Sequence, residues 1–323
     1  MEVLSVGLPK VAVLMATYNG EKYLRQQMDS ILAQQNVDVS VFVRDDHSSD
    51  TTVSIINEYA ERTGKVFLLA RKPAQLRVTK NFYSIVKEVD LSDADFMAYS
   101  DQDDVWLPAK MDAAINALTN SHSDAYASNL LRGDTEGRIM REGTWLKRLI
   151  QYLFNRKSSR QTLYDHYFEA ASAGCTLVLS KKAAQYFQKR VQEIYDTIPS
   201  DTSHDWSTYA ITRIGGFKWY IDEHSYIIYR QHAENAYGAN IGFGGINKML
   251  EWFTSGRYRM HILMIDNLYN NTGIHPDFMA AVKNYKPGSI LSRFRMAFAV
   301  HKYRRKWTHR ILLFLLIILG YCK

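Results

Sequence analysis

The stretch "AYSDQDDVW", residues 98–106, places Asp101, Asp103 and Asp104 within four positions, between a short apolar run and a tryptophan. Like charges this close repel, so a cation or solvent must compensate them. Along an extended chain residues i and i+2 point to one side, which brings Asp101 and Asp103 together and turns Gln102 away. Two carboxylates on one side suit a hard cation, Mg²⁺ or Mn²⁺, which can in turn hold a diphosphate. The competing reading is a solvated acidic turn. The flanking aromatic and apolar residues favour the cation, because carboxylates half-buried without a partner are costly.

A second acidic pair, Asp45 and Asp46, stands in "VRDDHSSD". Carboxylates at a strand end can accept hydrogen bonds from a base N–H or from ribose hydroxyls. They can equally belong to an ordinary strand–helix turn in which Asp, Ser and Thr act as caps. A third acidic residue of interest, Asp205, lies in "SHDWSTY", where His204 precedes it and a tryptophan follows at a helix start.

The elements that must position these residues alternate. "KVAVLMAT" (10–17) is a continuous apolar run after its lysine, as expected of a strand covered on both faces. "EKYLRQQMDSILAQ" has its apolar residues at helical spacing. "VSVFVRDD", "KVFLLA" and "ADFMAYSDQDD" read as further strands. "TTVSIINEYAERTG", closed by Gly64, "KNFYSIVKEV" and "PAKMDAAINALTN" read as helices. This βαβαβαβα order predicts a parallel sheet with right-handed crossovers. Ligands of such sheets bind at the carboxyl ends of the strands, and "TYNG" (17–20), "RDDHSSD" (44–50) and "SDQDD" (100–104) all fall there. Further along, "AGCTLVLS" (173–180) reads as a buried strand, "HDWSTYAITRIGG" as a helix, and "FKWYID" and "SYIIYRQH" as two strands. From about Gly245 the pattern is helical.

The 323 residues are enough for one large domain plus an appendage, and the composition, 46% apolar and 23% charged, is that of a folded chain. Two cysteines, Cys175 and Cys322, offer neither a disulfide framework nor a Cys-x-x-Cys metal site. No apolar leader precedes Lys10, which predicts that the chain is not secreted. The net charge of +7 is unevenly placed. Ten of the 40 lysines and arginines follow Asp277, where no acid occurs, so residues 1–277 carry 30 against 33 Asp and Glu. The main body is therefore not a basic nucleic-acid binder. The C-terminal segment ends in an uncharged apolar stretch, Ile311–Cys322, of 12 residues, where a membrane-spanning helix needs about 20. A basic flank followed by a short greasy end reads as lying on an anionic leaflet. Trp145–Phe154 is a second basic amphipathic stretch that could serve the same end.

Together "ATYNGEKYL", "VRDDHSSDTT" and "YSDQDDVWLPAKM" resemble the nucleotide-binding half of family 2 glycosyltransferases, and "DQDDVWLP" is most similar to bacterial rhamnosyltransferases of surface-polysaccharide assembly. The resemblance covers about residues 10–240. It implies an α/β GT-A fold, a Rossmann-like, mostly parallel sheet flanked by helices over residues 1–240. Residues 241–323 would be a helical, membrane-associating extension. By the same resemblance Asp45 and Asp46 hold the nucleoside, Thr17 and Tyr18 line its pocket, Asn81 lies near the donor, and Asp101 and Asp103 serve the metal and the diphosphate. Asp205 is the implied base, His232 of "YRQHAENAYG" the further metal or diphosphate ligand, and Arg230 a positive partner beside it. Gly174 would allow close approach of substrate, and Cys175 is packing. The implied reaction is inverting transfer of a sugar, L-rhamnose from dTDP-rhamnose, onto a lipid-linked saccharide at the cytoplasmic face of the membrane, with Mg²⁺ or Mn²⁺. A UDP-hexose donor is the alternative within the class.

One departure from the family pattern is His47, which stands where a loop glycine is usual and puts the turn conformation in question. Other classes fit less well. A nucleotidyltransferase would carry a Gly-rich basic loop after the first strand, a dehydrogenase a Gly-x-Gly-x-x-Gly, and neither is present. A non-catalytic saccharide-binding protein would have no need of both Asp103 and Asp205.

Overall fold

The computed structural model describes residues 7–140, 160–198, 202–232, 250–268 and 275–322. The amphipathic stretch Trp145–Phe154 lies outside them. Strand β1 (Lys10–Thr17) is followed by α1 (Glu21–Leu32), β2 (Asp38–Asp45), α2 (Thr52–Thr63), β3 (Val66–Leu68), α3 (Arg77–Glu88) and β4 (Phe96–Ser100). The strands are apolar on both faces because helices cover both. Val11, Val13 and Met15 of β1 face a core shared with α1 and α2, while Ala12 and Leu14 face one shared with α3. Gly64 ends α2 in the left-handed conformation at φ 64°, a position that favours a residue without Cβ.

These four strands pair in parallel, in the order β3-β2-β1-β4. Beyond β4 the sheet is mixed. After the acidic loop come the short β5 (Val105–Trp106), α4 (Lys110–Ser121) and β6 (Ala125–Gly133), then β7 (Val178–Ser180), α5 (Lys181–Ile194), α6 (His204–Ile214) and β8 (Trp219–Arg230). The full order is β3-β2-β1-β4-β7-β6-β8-β5, with β7 antiparallel to both neighbours and β5 antiparallel to β8. Two sequence expectations change here. "AGCTLVLS" holds a 3-10 turn, Gly174–Thr176, and only its last three residues join the sheet. "FKWYID" and "SYIIYRQH" form one strand rather than two; the break that the sequence suggests appears as register shifts against β6 around Asn129.

Residues past 241 add α7 (Arg257–Leu268), α8 (Pro276–Lys283), α9 (Ile290–Ala297) and α10 (Trp307–Ile318). Their buried side chains, among them Ile262, Phe278, Met296, Leu313 and Ile317, belong to the same core as Leu14, Met97 and Trp206. The C-terminal helices are thus built onto the sheet and its helices through a continuous core. Among the described residues no helix is long and apolar enough to cross a membrane.

Candidate active site

Register brings the polar clusters to one edge. Thr17 pairs with Asp45 across β1 and β2, and Met15 with Ser100 across β1 and β4, so the three loops leave the sheet side by side. Their backbones are laced together. Asn19, at φ 46°, accepts from Ser49 N through its Oδ1 (2.9 Å) and donates its own N–H to Ser48 Oγ (2.8 Å). Asp50 accepts from Glu21 N (3.1 Å) and Thr52 N (3.0 Å), capping two helices at once. His47 adopts the turn usually given to glycine, φ 70°, and its Nε2 lies 2.9 Å from the Lys72 carbonyl. The turn survives the departure from the family pattern because a polar side chain with a local partner tolerates the left-handed region.

Asp45 and Asp46 are both buried, and their roles separate. Asp45 accepts from Ser48 N (3.0 Å), from the Ser48 and Thr17 hydroxyls, and from Arg71 (3.0 Å), whose guanidinium is half-exposed. Asp46 accepts from Leu76 N and Arg77 N, both at 2.7 Å, and so caps α3. Asn81, expected beside the donor, is buried and donates to the Arg44 carbonyl (3.0 Å). It braces β2 against α3. Tyr18 is exposed at the mouth of this region.

The acidic loop is a tight link between β4 and β5, fixed at three points. Gln102 makes two bonds to the Tyr18 backbone: Tyr18 N donates to Oε1 (2.8 Å) and Nε2 donates to the Tyr18 carbonyl (2.9 Å). Gly20 leaves room for this clamp, since a Cβ there would sit 2.5 Å from Gln102 Oε1. Arg230 supplies the second point. It is buried, donating Nε to the Asp103 carbonyl (2.7 Å), NH1 to the Thr135 carbonyl (2.6 Å) and NH2 to Gln26 (2.5 Å), and it lies over the Tyr23 ring. The positive partner expected for the donor is therefore directed to the loop backbone. Burial with its bonds directed at fixed carbonyls explains why Arg, with its planar fork, holds this place. The third point is Asp104, fully buried, which accepts from Arg230 N (3.2 Å).

Asp103 Oδ2 meets His232 Nε2 at 2.6 Å, and the His232 ring packs on Tyr23. Asp101 is raised to about 7 by burial, then by the charges of Asp103 and Asp205. Asp104 is raised further by burial and by the same loop's charges. Behind them the Cys175 thiol, free and buried, groups with Asp101 and Asp104 within 4.8 Å. Lys110, also buried, stands over the Trp106 ring, and burial lowers it to about 7. Nothing in the sequence pattern pointed to Lys110; its helical position on the buried face of α4 is the signal that could have.

Asp205 sits in the first turn of α6, half-buried, where its Oδ1 accepts from Trp206 N (2.6 Å) and from the Ser203 hydroxyl. Its charge is close enough to raise Asp101. The helix is anchored by Trp206, whose Nε1 donates to the His166 carbonyl (2.8 Å) and whose ring stacks on His261 at 3.6 Å. His204 is buried against Phe82 and Tyr99, and burial lowers its pKa, keeping it neutral. The space that Gly174 leaves is filled by the His204 ring rather than by substrate.

The model of glycosyl transferase family 2 matches residues 12–187. The chain is a family 2 glycosyltransferase. Over 307 residues it is 32% identical to the dTDP-rhamnosyl transferase RfbG of Shigella flexneri, spanning 95% of this chain and 99% of that one. In structure it is similar to S. aureus TarS 1–349 in complex with UDP-GlcNAc (TM-score 0.51, 15% identity, 97% of this chain and 89% of that one). It is also similar to the mannosyltransferase PcManGT of Pyrobaculum calidifontis in complex with GDP-Man and Mn²⁺ (TM-score 0.51, 13% identity, 98% and 88%). Those likenesses establish the GT-A fold for this glycosyltransferase, whose matched region holds β1 to β7 and both acidic pairs.

Proposed function

We propose that the glycosyltransferase transfers L-rhamnose from dTDP-rhamnose, with inversion, onto a lipid-linked saccharide in surface-polysaccharide assembly. The near full-length similarity to a dTDP-rhamnosyl transferase supports the donor. The observation that carries the reaction type is the contact of His232 with Asp103 at 2.6 Å, beside Asp101, which burial and the charges of Asp103 and Asp205 raise. The cytoplasmic face of the membrane, met through the basic C-terminal segment, is the place where such an acceptor would be reached.

A divalent cation fits the residues present. Carboxylates whose mutual repulsion and burial push protons onto them form a site that a cation relieves. Asp101, Asp103 and His232 would hold it; two oxygens and one imidazole nitrogen suit Mn²⁺ as well as Mg²⁺. Cys175, a buried thiol, is a poor ligand for either. The bound ion would supply charge neutralisation on the departing diphosphate.

The chain's own groups do the rest. Tyr18 and Asp45 border the nucleoside. Asp205 Oδ2, which makes no hydrogen bond among the described residues, takes the proton of the acceptor hydroxyl as its oxygen attacks the anomeric carbon. The bond from that carbon to the diphosphate oxygen breaks, and dTDP leaves with the electron pair. Attack from the face opposite the leaving group inverts the centre. Donor binding by calorimetry, with and without Mn²⁺, tests the reading. Metal-dependent binding of dTDP-rhamnose is expected; preference for a UDP-hexose would replace the rhamnose donor, and no binding to any sugar nucleotide would overturn the reading.

A further inference from the structure

The basic C-terminal segment divides in the structure. Arg304 and Arg305 turn inward and are buried. Arg304 donates to the Phe168 carbonyl, and Arg305 donates to the Ala170 carbonyl (2.6 Å) and stands 3.4 Å from Glu169 and 3.7 Å from Asp165. Burial alone would raise Glu169, but Arg305 and Arg304 hold it down to about 2. Arg310 bonds the Arg304 and Arg305 carbonyls, and Arg293 the Ile318 carbonyl. Among the described residues the exposed bases of this region are Lys283, which pairs with Asp266 at 2.7 Å, and Lys286, Arg295 and Lys302. Charge is therefore a smaller part of this surface than the sequence suggests.

What the surface does present is apolar. On α9, Ile290, Leu291, Phe294 and Phe298 are exposed, at i, i+1, i+4 and i+8. On α10, Trp307, Ile311, Leu315 and Leu319 are exposed at successive intervals of four. Each set is one helix stripe, and the stripes meet where Phe298 packs between Phe294 and Phe314. Contiguous apolar surface of this kind marks a docking face. Its opposite side, Met296, Leu313, Leu316 and Ile317, is locked into the core, so the face cannot fold away.

We propose that the α9–α10 hairpin is an in-plane anchor that seats this apolar double stripe in the interfacial layer of an anionic bilayer, held by insertion more than by charge. At 12 residues α10 is about 18 Å long, too short to span a hydrocarbon layer of about 30 Å. Trp307 and Tyr321 bracket its exposed stripe, where amphipathic rings settle at headgroup level. Lys286, Arg295 and Lys302 supply the basic rim. A second copy of the chain fits less well, because a two-fold interface would set this rim against itself, with no acid after Asp277 to offset it. The inference rests on the reading of a membrane-held acceptor only for its purpose; vesicle binding is measured without turnover, so the two fail separately.

The test is co-sedimentation of the full chain with phosphatidylcholine vesicles, with and without phosphatidylglycerol, at about 0.1 and about 0.5 M salt, between which screening of surface charges becomes nearly complete. Binding to the anionic vesicles is expected, and most of it should persist at the higher salt. The triple variant I311S/L315S/L319S should lose about tenfold or more in partitioning, and R295A/K302A only a few-fold. L291S/F298S on the other helix should behave as the first variant does, and circular dichroism verifies that each is folded. Absence of vesicle binding by the wild-type chain overturns the proposal. So does binding abolished by high salt, or a dimer in sedimentation that the apolar variants dissociate.

Discussion

His232 and Asp103 are 129 residues apart in the chain and 2.6 Å apart in the fold, His232 Nε2 against Asp103 Oδ2. Arg230 makes the meeting possible by tying the end of β8 to the Asp103 carbonyl. The two groups proposed to hold the cation are thereby kept in contact with each other.

Replacing either should separate metal affinity from folding. His232→Ala is expected to weaken Mn²⁺ binding by about 10–100-fold, and Asp103→Ala to lower transfer by about a hundredfold or more. Both should unfold at near wild-type temperature. Titration of Mn²⁺ followed by transfer assays checks this, and full activity of Asp103→Ala would remove the residue from the site.

Asp205→Asn keeps the bond from Trp206 N and the shape of the first turn of α6, but abolishes the base. Turnover should fall by about 10²–10⁴-fold while donor affinity is unchanged. Calorimetry beside single-turnover kinetics distinguishes the two. A loss of donor affinity would assign Asp205 to the donor instead.

The Gln102 clamp makes a prediction about a glycine. Gly20→Ala pushes on Gln102 Oε1, the far end of a flexible side chain, so the cost in stability should be small, within about 1 kcal/mol. Activity should nevertheless fall, because the acidic loop loses its tie to Tyr18. If that is the mechanism, Gly20→Ala added to Gln102→Ala changes transfer little further. Additive losses would show that Gly20 acts otherwise.

The acidic loop should also leave a mark on stability against pH. A carboxyl raised in the folded state to about 7, as Asp101 is by burial and by its neighbours' charges, keeps a proton that the unfolded chain releases near pH 4. Its contribution is present below about pH 4 and is lost as the pH rises through about 7. Without metal, the protein should therefore lose stability from this group across that window. Mn²⁺ should raise the melting temperature more at about pH 8 than at about pH 5.5. An equal increment at both would contradict the assignment.

Much of this was legible in the chain. β1, β2, α1 and α2 fall within a residue or two of where apolar runs and periodicity put them, whereas the acidic loop bends at Gln102 and Asp103 and follows no strand alternation. The roles of Arg230 and Asn81 were not legible, because a polar residue in a motif looks the same whether it faces a ligand or a carbonyl. Only burial tells them apart. The C-terminal arginines were misleading for a related reason. The acids that receive Arg305, Asp165 and Glu169, lie some 136 residues away in sequence, beyond the reach of any local charge pattern. A strand at β7 was read, but its antiparallel direction was hidden because its three strand residues are too few to show a period.

The inward pair Arg304 and Arg305 has a consequence for engineering. Asp165, which faces Arg305, also accepts from Tyr209 of α6 (2.8 Å), the helix whose first turn holds Asp205. The hairpin is consequently not an exchangeable module. A chimera given another protein's C-terminal helices would strand Glu169 without counter-charge and leave Asp165 only Arg213 at 3.8 Å, at a cost of about 3–5 kcal/mol for a broken buried pair, and the damage would appear first in α6. Only a graft that carries residues 165–169 along with the hairpin keeps both ends of the joint.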